Sequence, residues 1–437
     1  MLEFLVAAAV MLVVWRRAGA SRFPTATVIF LVGYLIYIYA GALVMQADPL
    51  IDHDRHFDTF LALVRIGFVA ALAAFFLARA IVPDVRIEEL TIEPPPPVER
   101  WALLALFGWA AAISLLYLTA LPENPLLVML LRTEDLTKAR EAATTTLPHF
   151  GVYANFLYYL FPLAWSALYL AGHRRTALTG FIVNFFLLVS TGQKAPMVYI
   201  LMMWMLAGAL VAGRAPYRRW LVVGGVTIAG LLMLIIMQNQ LAVQALDSSA
   251  ISIAIEALRR RVLYGGTQAL LDYVRFFPDQ FSHYYFARPD IPADQLVFAF
   301  GHPVSDVIGS ANTVSLGNLW AAFGNVWVVG GMMLLICLGL FIGDLLLLGA
   351  VRTPLSAAIY LLYCRTALVL VISDWWTGLS GFVIISGATA GAFFLFEALA
   401  RGVAEGRLAV RGRPIAIAAS ILTFLYFAQG QVRGWFH

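Results

Sequence analysis

The sequence predicts an all-α fold: a polytopic integral membrane protein with about twelve transmembrane helices and two long segments on the outer side of the membrane. Three observations support this prediction. Hydrophobic residues make up 62% of the 437 residues and charged residues only 12%, whereas soluble proteins average about 45–50% and about 25%. Apolar runs of membrane-spanning length recur along the chain, and positive charges concentrate in alternate short loops.

The individual spans follow from the apolar runs, because a bilayer core of about 30 Å needs about 20 apolar residues per helix. In chain order the candidate spans are 2–15, 24–45, 59–82, 101–121, 150–171, 177–191, 195–213, 220–242, 324–349, 355–373, 381–400 and 414–430. The first and sixth runs are short, so eleven spans remain an alternative to twelve. Pro24, Pro354 and Pro414 stand where helices begin, a position at which the missing N–H costs little.

Arginines in the short loops predict the orientation. Of the 29 lysines and arginines, 16 lie in one alternating set of short loops: Arg16, Arg17, Arg22, Arg79, Arg86, Arg100, Arg174, Arg175, Arg214, Arg218, Arg219, Arg352, Arg401, Arg407, Arg411 and Arg413. The positive-inside rule makes these loops cytoplasmic and places both termini outside. The net charge of +4 is therefore a topology signal and does not indicate a nucleic-acid partner.

Two long segments, 122–149 and 243–323, interrupt a single transmembrane domain that covers 1–437. Both are predicted to lie outside and to contain surface helices, one over 126–143 and one over 249–264. Loops of this length in a compact protein are usually functional. The working surface is therefore expected at the non-cytoplasmic face.

Two arginines lie inside predicted spans, where an ionisable group is costly and suggests function. Arg65 is predicted about 9 Å and Arg365 about 14 Å from the outer end of its span. Lys194 lies in the short outer turn between the sixth and seventh spans. Each arginine could instead snorkel to the interface or pair with a helix carbonyl or a carboxylate.

Guanidinium and ammonium groups at one face suit a lipid diphosphate, because arginine binds phosphate oxygens in pairs and lysine adds a point charge. The predicted diphosphate-binding residues are Arg65, Lys194, Arg259, Arg261, Arg275 and Arg365. Arg132 and Arg140 are predicted as acceptor-site or secondary residues, although a solvated surface helix explains them equally well.

For proton transfer, the sequence offers His302 and Asp306 shortly before the chain re-enters the membrane. Two titratable groups four residues apart beside a membrane cavity could deprotonate a hydroxyl. A loop histidine with satisfied hydrogen bonds is the alternative. No metalloprotease, serine-hydrolase, Walker or EF-hand pattern occurs, so the sequence indicates neither a metal site nor a cofactor.

Two short segments stand out at the ends of predicted spans. The first is Ser190-Thr191-Gly192-Gln193-Lys194, and the second comprises Asn318-Leu319-Trp320, Phe323-Gly324-Asn325 and Gly330-Gly331. Both resemble segments of the O-antigen and oligosaccharide repeat-unit polymerases of bacterial inner membranes, which also have about a dozen helices and cationic outer loops. The first is similar to that family's turn of small residues, glycine and a basic residue, with Lys194 at the position where arginine is usual. The second is similar to the family's helix entry after the large outer loop, and it marks Asn318 as a further secondary-site candidate.

The resemblance implies a metal-independent glycosyltransferase at the periplasmic face of the inner membrane, acting in O-antigen and lipopolysaccharide synthesis. Its donor would be a polyprenyl-diphosphate-linked oligosaccharide, with no nucleotide sugar or cofactor, and the diphosphate would be the leaving group. A chain-length regulator and a flippase are the protein partners that it suggests. Three alternatives stay open: an O-antigen ligase, a transporter or flippase of a lipid-linked or anionic solute, and a non-catalytic assembly partner.

Overall fold

The computed structural model describes residues 2–19, 23–49, 51, 53–82, 90, 92–131, 136–144, 147–193, 195–225, 264–285, 293–301, 315–372 and 375–404. Every regular element within these ranges is a helix. This result confirms the predicted all-α class.

Among the described residues, seven helices are long and apolar enough to cross a membrane. Their membrane-length stretches are Ala26–Ala47, Arg55–Ile81, Pro97–Ala120, Ala195–Ala212, Val326–Gly349, Pro354–Val371 and Gly381–Leu399. The last two belong to the helices Pro354–Ile372 and Trp375–Ala404. All seven coincide with predicted spans to within a few residues. By length and composition, the chain is therefore an α-helical membrane protein of the multi-pass type.

The remaining predicted spans have different outcomes. Leu2–Arg17, residues 150–170 and Arg174–Ser190 are helical. The predicted span 220–242 is described only as far as residue 225, and 414–430 lies outside the described residues. A total of about twelve spans thus stays a prediction.

The two long segments are described only in part. In the first, Pro125–Leu131 and Leu136–Ala143 are helices, and residues 132–135 between them lie outside the described ranges. In the second, Gly265–Phe276, Ala293–Gly301 and Leu316–Phe323 are helices. The predicted helix 249–264 lies outside the described residues, except for Tyr264 at its end.

The chain divides into two compact units, each assembled from separate stretches. The first unit contains residues 1–87, 213–346 and 366–378, and the second contains residues 88–212, 347–365 and 379–437.

In the first unit, a distant carboxylate caps the beginning of the helix Ala26–Ala47. Asp344 is 1% exposed, and its two oxygens accept the backbone N–H groups of Ala26 (3.2 Å) and Thr27 (2.9 Å). The side chain of Thr25, the residue just before the helix, makes no capping bond. A buried carboxylate at a helix N-terminus satisfies N–H groups that have no partner in the helix and interacts favourably with the helix dipole.

Replacing Asp344 with alanine is expected to lower the free energy of unfolding by about 1–3 kcal/mol, because two buried N–H groups lose their acceptor. Thermal denaturation of the purified protein in detergent measures the change. Asp344→Asn is the matched control: it keeps one acceptor oxygen and should lose less. An unchanged melting temperature for Asp344→Ala would contradict the capping role.

Also in the first unit, Gly324 and Asn325 form the corner between the helices Leu316–Phe323 and Val326–Gly349. Gly324 ends the first helix in the left-handed conformation, with φ of 60°. The Asn325 side chain begins the second by accepting the N–H groups of Trp327 (3.0 Å) and Val328 (3.2 Å). Glycine after a helix and asparagine before one are the residues that such a corner favours.

The segment after Gly265–Phe276 docks on this corner. The Trp320 indole N–H donates to the Phe277 carbonyl (3.0 Å), and the His283 Nδ1 lies 3.2 Å from the Ala321 carbonyl. The backbone N–H of Tyr285 donates to the carbonyl of Ala322 (2.9 Å). These bonds hold residues 277–285 against the helix Leu316–Phe323.

The second unit packs around Trp165 and a π-helical turn. Trp165 is fully buried, and its indole N–H donates to Asn184 Oδ1 (3.2 Å). The Asn184 amide in turn donates to the carbonyl of Leu157 (2.9 Å), which lies in the π-helical turn Phe156–Leu160. A π-turn displaces backbone groups from the regular helical pattern, and a buried asparagine satisfies one of them here.

Candidate anion site

In the second unit, the turn after the helix Arg174–Ser190 has the conformation that its residues favour. The Thr191 hydroxyl donates to the Leu188 carbonyl (2.7 Å) and accepts the backbone N–H of Gln193 (3.2 Å). Gly192 adopts φ of 68°, which a residue with a side chain rarely adopts. The local hydrogen bonds and the glycine therefore fix this turn.

The π-helical turn Phe156–Leu160 contains two consecutive tyrosines, Tyr158 and Tyr159. The Tyr158 hydroxyl donates to the Gln193 side-chain oxygen (2.8 Å), which ties it to the turn just described. The Tyr159 hydroxyl lies near Gly381, where an added Cβ would be only 3.2 Å from it. Single π-turns inside α-helices are frequent at functional sites.

Arg365 lies within the membrane-length helix Pro354–Ile372 and is 3% exposed. Its Cζ atom is 4.0 Å from the centre of the Tyr159 ring and 5.2 Å from that of Tyr199. The buried Nε and Nη1 atoms have no hydrogen-bond partner among the described residues. A buried guanidinium without a partner is costly and suggests an anionic ligand.

Arg140 is a second cation near Tyr158, Tyr159 and Arg365. It lies beside the turn whose Gln193 accepts the Tyr158 hydroxyl (2.8 Å). The side chain of Arg140 also packs at the turn, where a Cβ added to Gly192 would lie 3.2 Å from its Cγ. We call Arg140, Tyr158, Tyr159, Tyr199 and Arg365 the arginine–tyrosine site.

The arginine–tyrosine site has the chemistry of an anion site. Its charges are two guanidinium groups, and the side chain of Arg140 is exposed. None of the ion pairs between described residues includes Arg140. Guanidinium donors that are held in place by aromatic rings can bind an oxyanion with little reorganisation.

Arg65, which lies in the first unit, has a carboxylate partner. Its Nε and Nη2 atoms donate to the two oxygens of Glu3 at 2.8 and 2.9 Å. The Tyr39 hydroxyl donates to the same carboxylate (2.7 Å). The sequence left open whether Arg65 would reach the interface, bond a helix carbonyl or pair with a carboxylate. The structure shows the pair with the Glu3 carboxylate.

Two other predicted site residues of the first unit also have protein partners. Arg275 Nε lies 3.8 Å from an oxygen of Asp54. The side-chain oxygen of Asn318 accepts the Tyr273 hydroxyl (2.9 Å), and its backbone carbonyl accepts the Tyr284 hydroxyl (3.0 Å). Asn318 therefore helps to hold the helix Gly265–Phe276 and the segment that follows it.

The remaining predicted site residues lie outside the described residues: Lys194, Arg132, Arg259, Arg261, His302 and Asp306. Their roles stay predictions. No group of His, Cys, Asp and Glu that could hold a metal ion occurs within the described ranges.

Tyr158, Tyr159 and Tyr199 were not among the residues predicted from the sequence. The chain has 17 tyrosines, many of them at span ends, where tyrosine is common in any membrane protein. The adjacent pair Tyr158-Tyr159 inside an apolar run was the available signal. The structure adds that this pair lies in a π-helical turn and that the Tyr159 ring contacts Arg365; neither fact could be read from the sequence.

Comparison with known proteins found no match among family models, curated proteins or solved structures.

Proposed function

We propose that the protein is a membrane glycosyltransferase that polymerises oligosaccharide repeat units carried on a polyprenyl diphosphate. One observation carries the proposal: Arg365 is buried in an apolar helix, and two of its nitrogens have no partner among the described residues. In a low-dielectric environment, such a guanidinium is best compensated by an anion with hydrogen-bond acceptors. The diphosphate of a lipid-linked sugar is an anion that reaches this environment with its own apolar chain.

Arg140 favours a diphosphate over a single carboxylate as the ligand. Its side chain packs at Gly192, next to the Gln193 that accepts the Tyr158 hydroxyl, and the neighbouring Tyr159 lies against Arg365. Because a diphosphate carries charge on two phosphorus centres, two guanidinium groups match it better than they match one carboxylate.

In the proposed reaction, a hydroxyl oxygen of the acceptor sugar attacks the anomeric carbon of the donor sugar. The bond from that carbon to the diphosphate oxygen breaks as the new glycosidic bond forms. Arg365 and Arg140 stabilise the negative charge that grows on the departing diphosphate. The hydroxyl proton passes to a general base, for which His302 and Asp306 are the predicted candidates.

The proposed setting is the bacterial inner membrane, with the reaction on the periplasmic side. The support is the distribution of arginines over alternate short loops, which assigns both termini and the two long segments to that side. The roles that the sequence suggests for Arg132, Lys194, Arg259, Arg261, Arg275 and Asn318 stay predictions.

An elongation assay tests this function. Purified protein in lipid vesicles receives a polyprenyl-diphosphate-linked oligosaccharide, and glycan length is followed on a gel. We expect a ladder of products, each longer by one repeat unit. Movement of the lipid across the vesicle without any ladder would indicate a transporter, and a single transfer to a lipopolysaccharide core acceptor would indicate a ligase.

A further inference from the structure

Two tyrosine rings lie against the guanidinium group of Arg365. The ring of Tyr159 lies 4.0 Å and that of Tyr199 5.2 Å from the Arg365 Cζ atom, both within the range of a cation–π contact. Tyr199 is 7% exposed and Arg365 3%. The guanidinium is therefore held among aromatic rings inside the second unit.

A ring above a guanidinium changes how an anion can approach it. All N–H bonds of arginine lie in the guanidinium plane, and an aromatic ring over the plane excludes a ligand from that face. The Tyr159 ring, 4.0 Å from Cζ, occupies one side of the guanidinium, and the Nε and Nη1 atoms at its edge have no partner among the described residues. Approach from the edge favours an oxyanion that presents acceptor oxygens along the N–H bonds over a spherical ion.

The local fold holds Tyr159 in place. It belongs to the π-helical turn Phe156–Leu160, whose preceding tyrosine is bonded to Gln193 (2.8 Å). On the other side, Gly381 leaves just enough room for the Tyr159 hydroxyl, since a Cβ there would lie 3.2 Å from it. The ring thus has little freedom to leave the guanidinium.

We infer that Tyr159 and Tyr199 are specificity-determining residues of the arginine–tyrosine site: they restrict Arg365 to oxyanions of the phosphate and diphosphate class that bind along the guanidinium edge. The inference rests on the proposed function for the identity of the natural ligand, the diphosphate of a lipid-linked oligosaccharide.

The test is binding of inorganic pyrophosphate to the purified full-length protein, measured by calorimetry, with bromide as a spherical competitor. Loss of the ring in Tyr159→Leu or Tyr199→Leu should weaken pyrophosphate binding by about 2- to 30-fold and make bromide a relatively better competitor. Tyr159→Phe keeps a ring and should behave like the wild type. A purely structural defect would not change the preference between the two anions.

Gly381→Ala provides a second variant that leaves every residue of the site in place. The added methyl group must displace the Tyr159 hydroxyl by a few tenths of an ångström, so we expect an intermediate loss of pyrophosphate binding. Gly391→Ala is the matched control, because it lies in the same helix and meets no atom within 4 Å.

The inference is overturned if Tyr159→Leu and Tyr199→Leu bind pyrophosphate with wild-type affinity and an unchanged preference over bromide. It is also overturned if the wild type binds neither pyrophosphate nor a polyprenyl diphosphate. If the wild type binds the polyprenyl diphosphate but not pyrophosphate, the affinities of the wild type and the tyrosine variants are compared for the lipid, and equal affinities overturn the inference. If the tyrosine variants weaken anion binding as expected but the wild type does not elongate the glycan, the proposed function fails and this inference stands. If the wild type elongates the glycan but the tyrosine variants bind the anion normally, this inference fails and the proposed function stands.

Discussion

Replacing Arg365 with alanine is expected to slow polymer formation by about one to two orders of magnitude. A charge-assisted hydrogen bond to an anion contributes about 1.5–3 kcal/mol, and each 1.36 kcal/mol corresponds to about a tenfold change in rate. The full loss appears in the rate only if the contact tightens as charge grows on the leaving diphosphate. The rate at which the glycan ladder lengthens measures the effect.

Two further variants make this prediction specific. Arg365→Lys keeps the charge but loses the planar fork that the tyrosine rings surround, so it should recover little activity. Arg352→Ala is the control: this exposed arginine lies just before the same helix, and its side chain bonds only the neighbouring Val351 carbonyl among the described residues. Normal elongation by a correctly inserted Arg365→Ala protein would remove Arg365 from the mechanism.

Replacing Gly324 with alanine is expected to displace residues 277–285 from the helix Leu316–Phe323. An added Cβ would lie 2.2 Å from Nε2 of His283, and the ring of His283 cannot easily retreat because its Nδ1 contacts the Ala321 carbonyl. Overpacking of this kind costs about 1–3 kcal/mol, and the left-handed conformation adds about 1–2 kcal/mol for a residue with a side chain. Thermal denaturation and limited proteolysis of the purified protein measure both effects.

Gly19→Ala separates the two contributions. Gly19 has φ of 65°, close to that of Gly324, but no atom lies within 4 Å of its added Cβ. It should therefore show only the conformational cost. Adding His283→Ala to Gly324→Ala removes the collision and should restore part of the stability. Equal losses for Gly324→Ala and Gly19→Ala would show that His283 does not press on this corner.

The membrane-length helices could be predicted closely because the signals that define them are local. The predicted span 195–213 became Ala195–Ala212, and the predicted span 324–349 became Val326–Gly349. Apolar length determines that a helix spans, and breakers such as Gly324 and Pro354 determine where it begins or ends. Both kinds of information lie within a few residues of each boundary.

The partners of the buried charges could not be predicted, because they are set by tertiary structure. Arg65 and Arg365 look alike in the sequence: each is one arginine within an apolar run. In the structure, Arg65 is bonded to Glu3, 62 residues away, whereas Arg365 lies against Tyr159 and Tyr199. The π-turn that carries Tyr159 leaves no periodic signal in a uniformly apolar helix.

The proposed function requires Arg365 to bind the diphosphate of a lipid-linked oligosaccharide. An experimental structure of the protein with that lipid bound tests it most directly. We predict phosphate density at the edge of the Arg365 guanidinium, with oxygens at about 2.7–2.9 Å from its nitrogens, and the other phosphate toward Arg140. A diphosphate bound elsewhere, with Arg365 paired to a carboxylate of the protein, would contradict the claim.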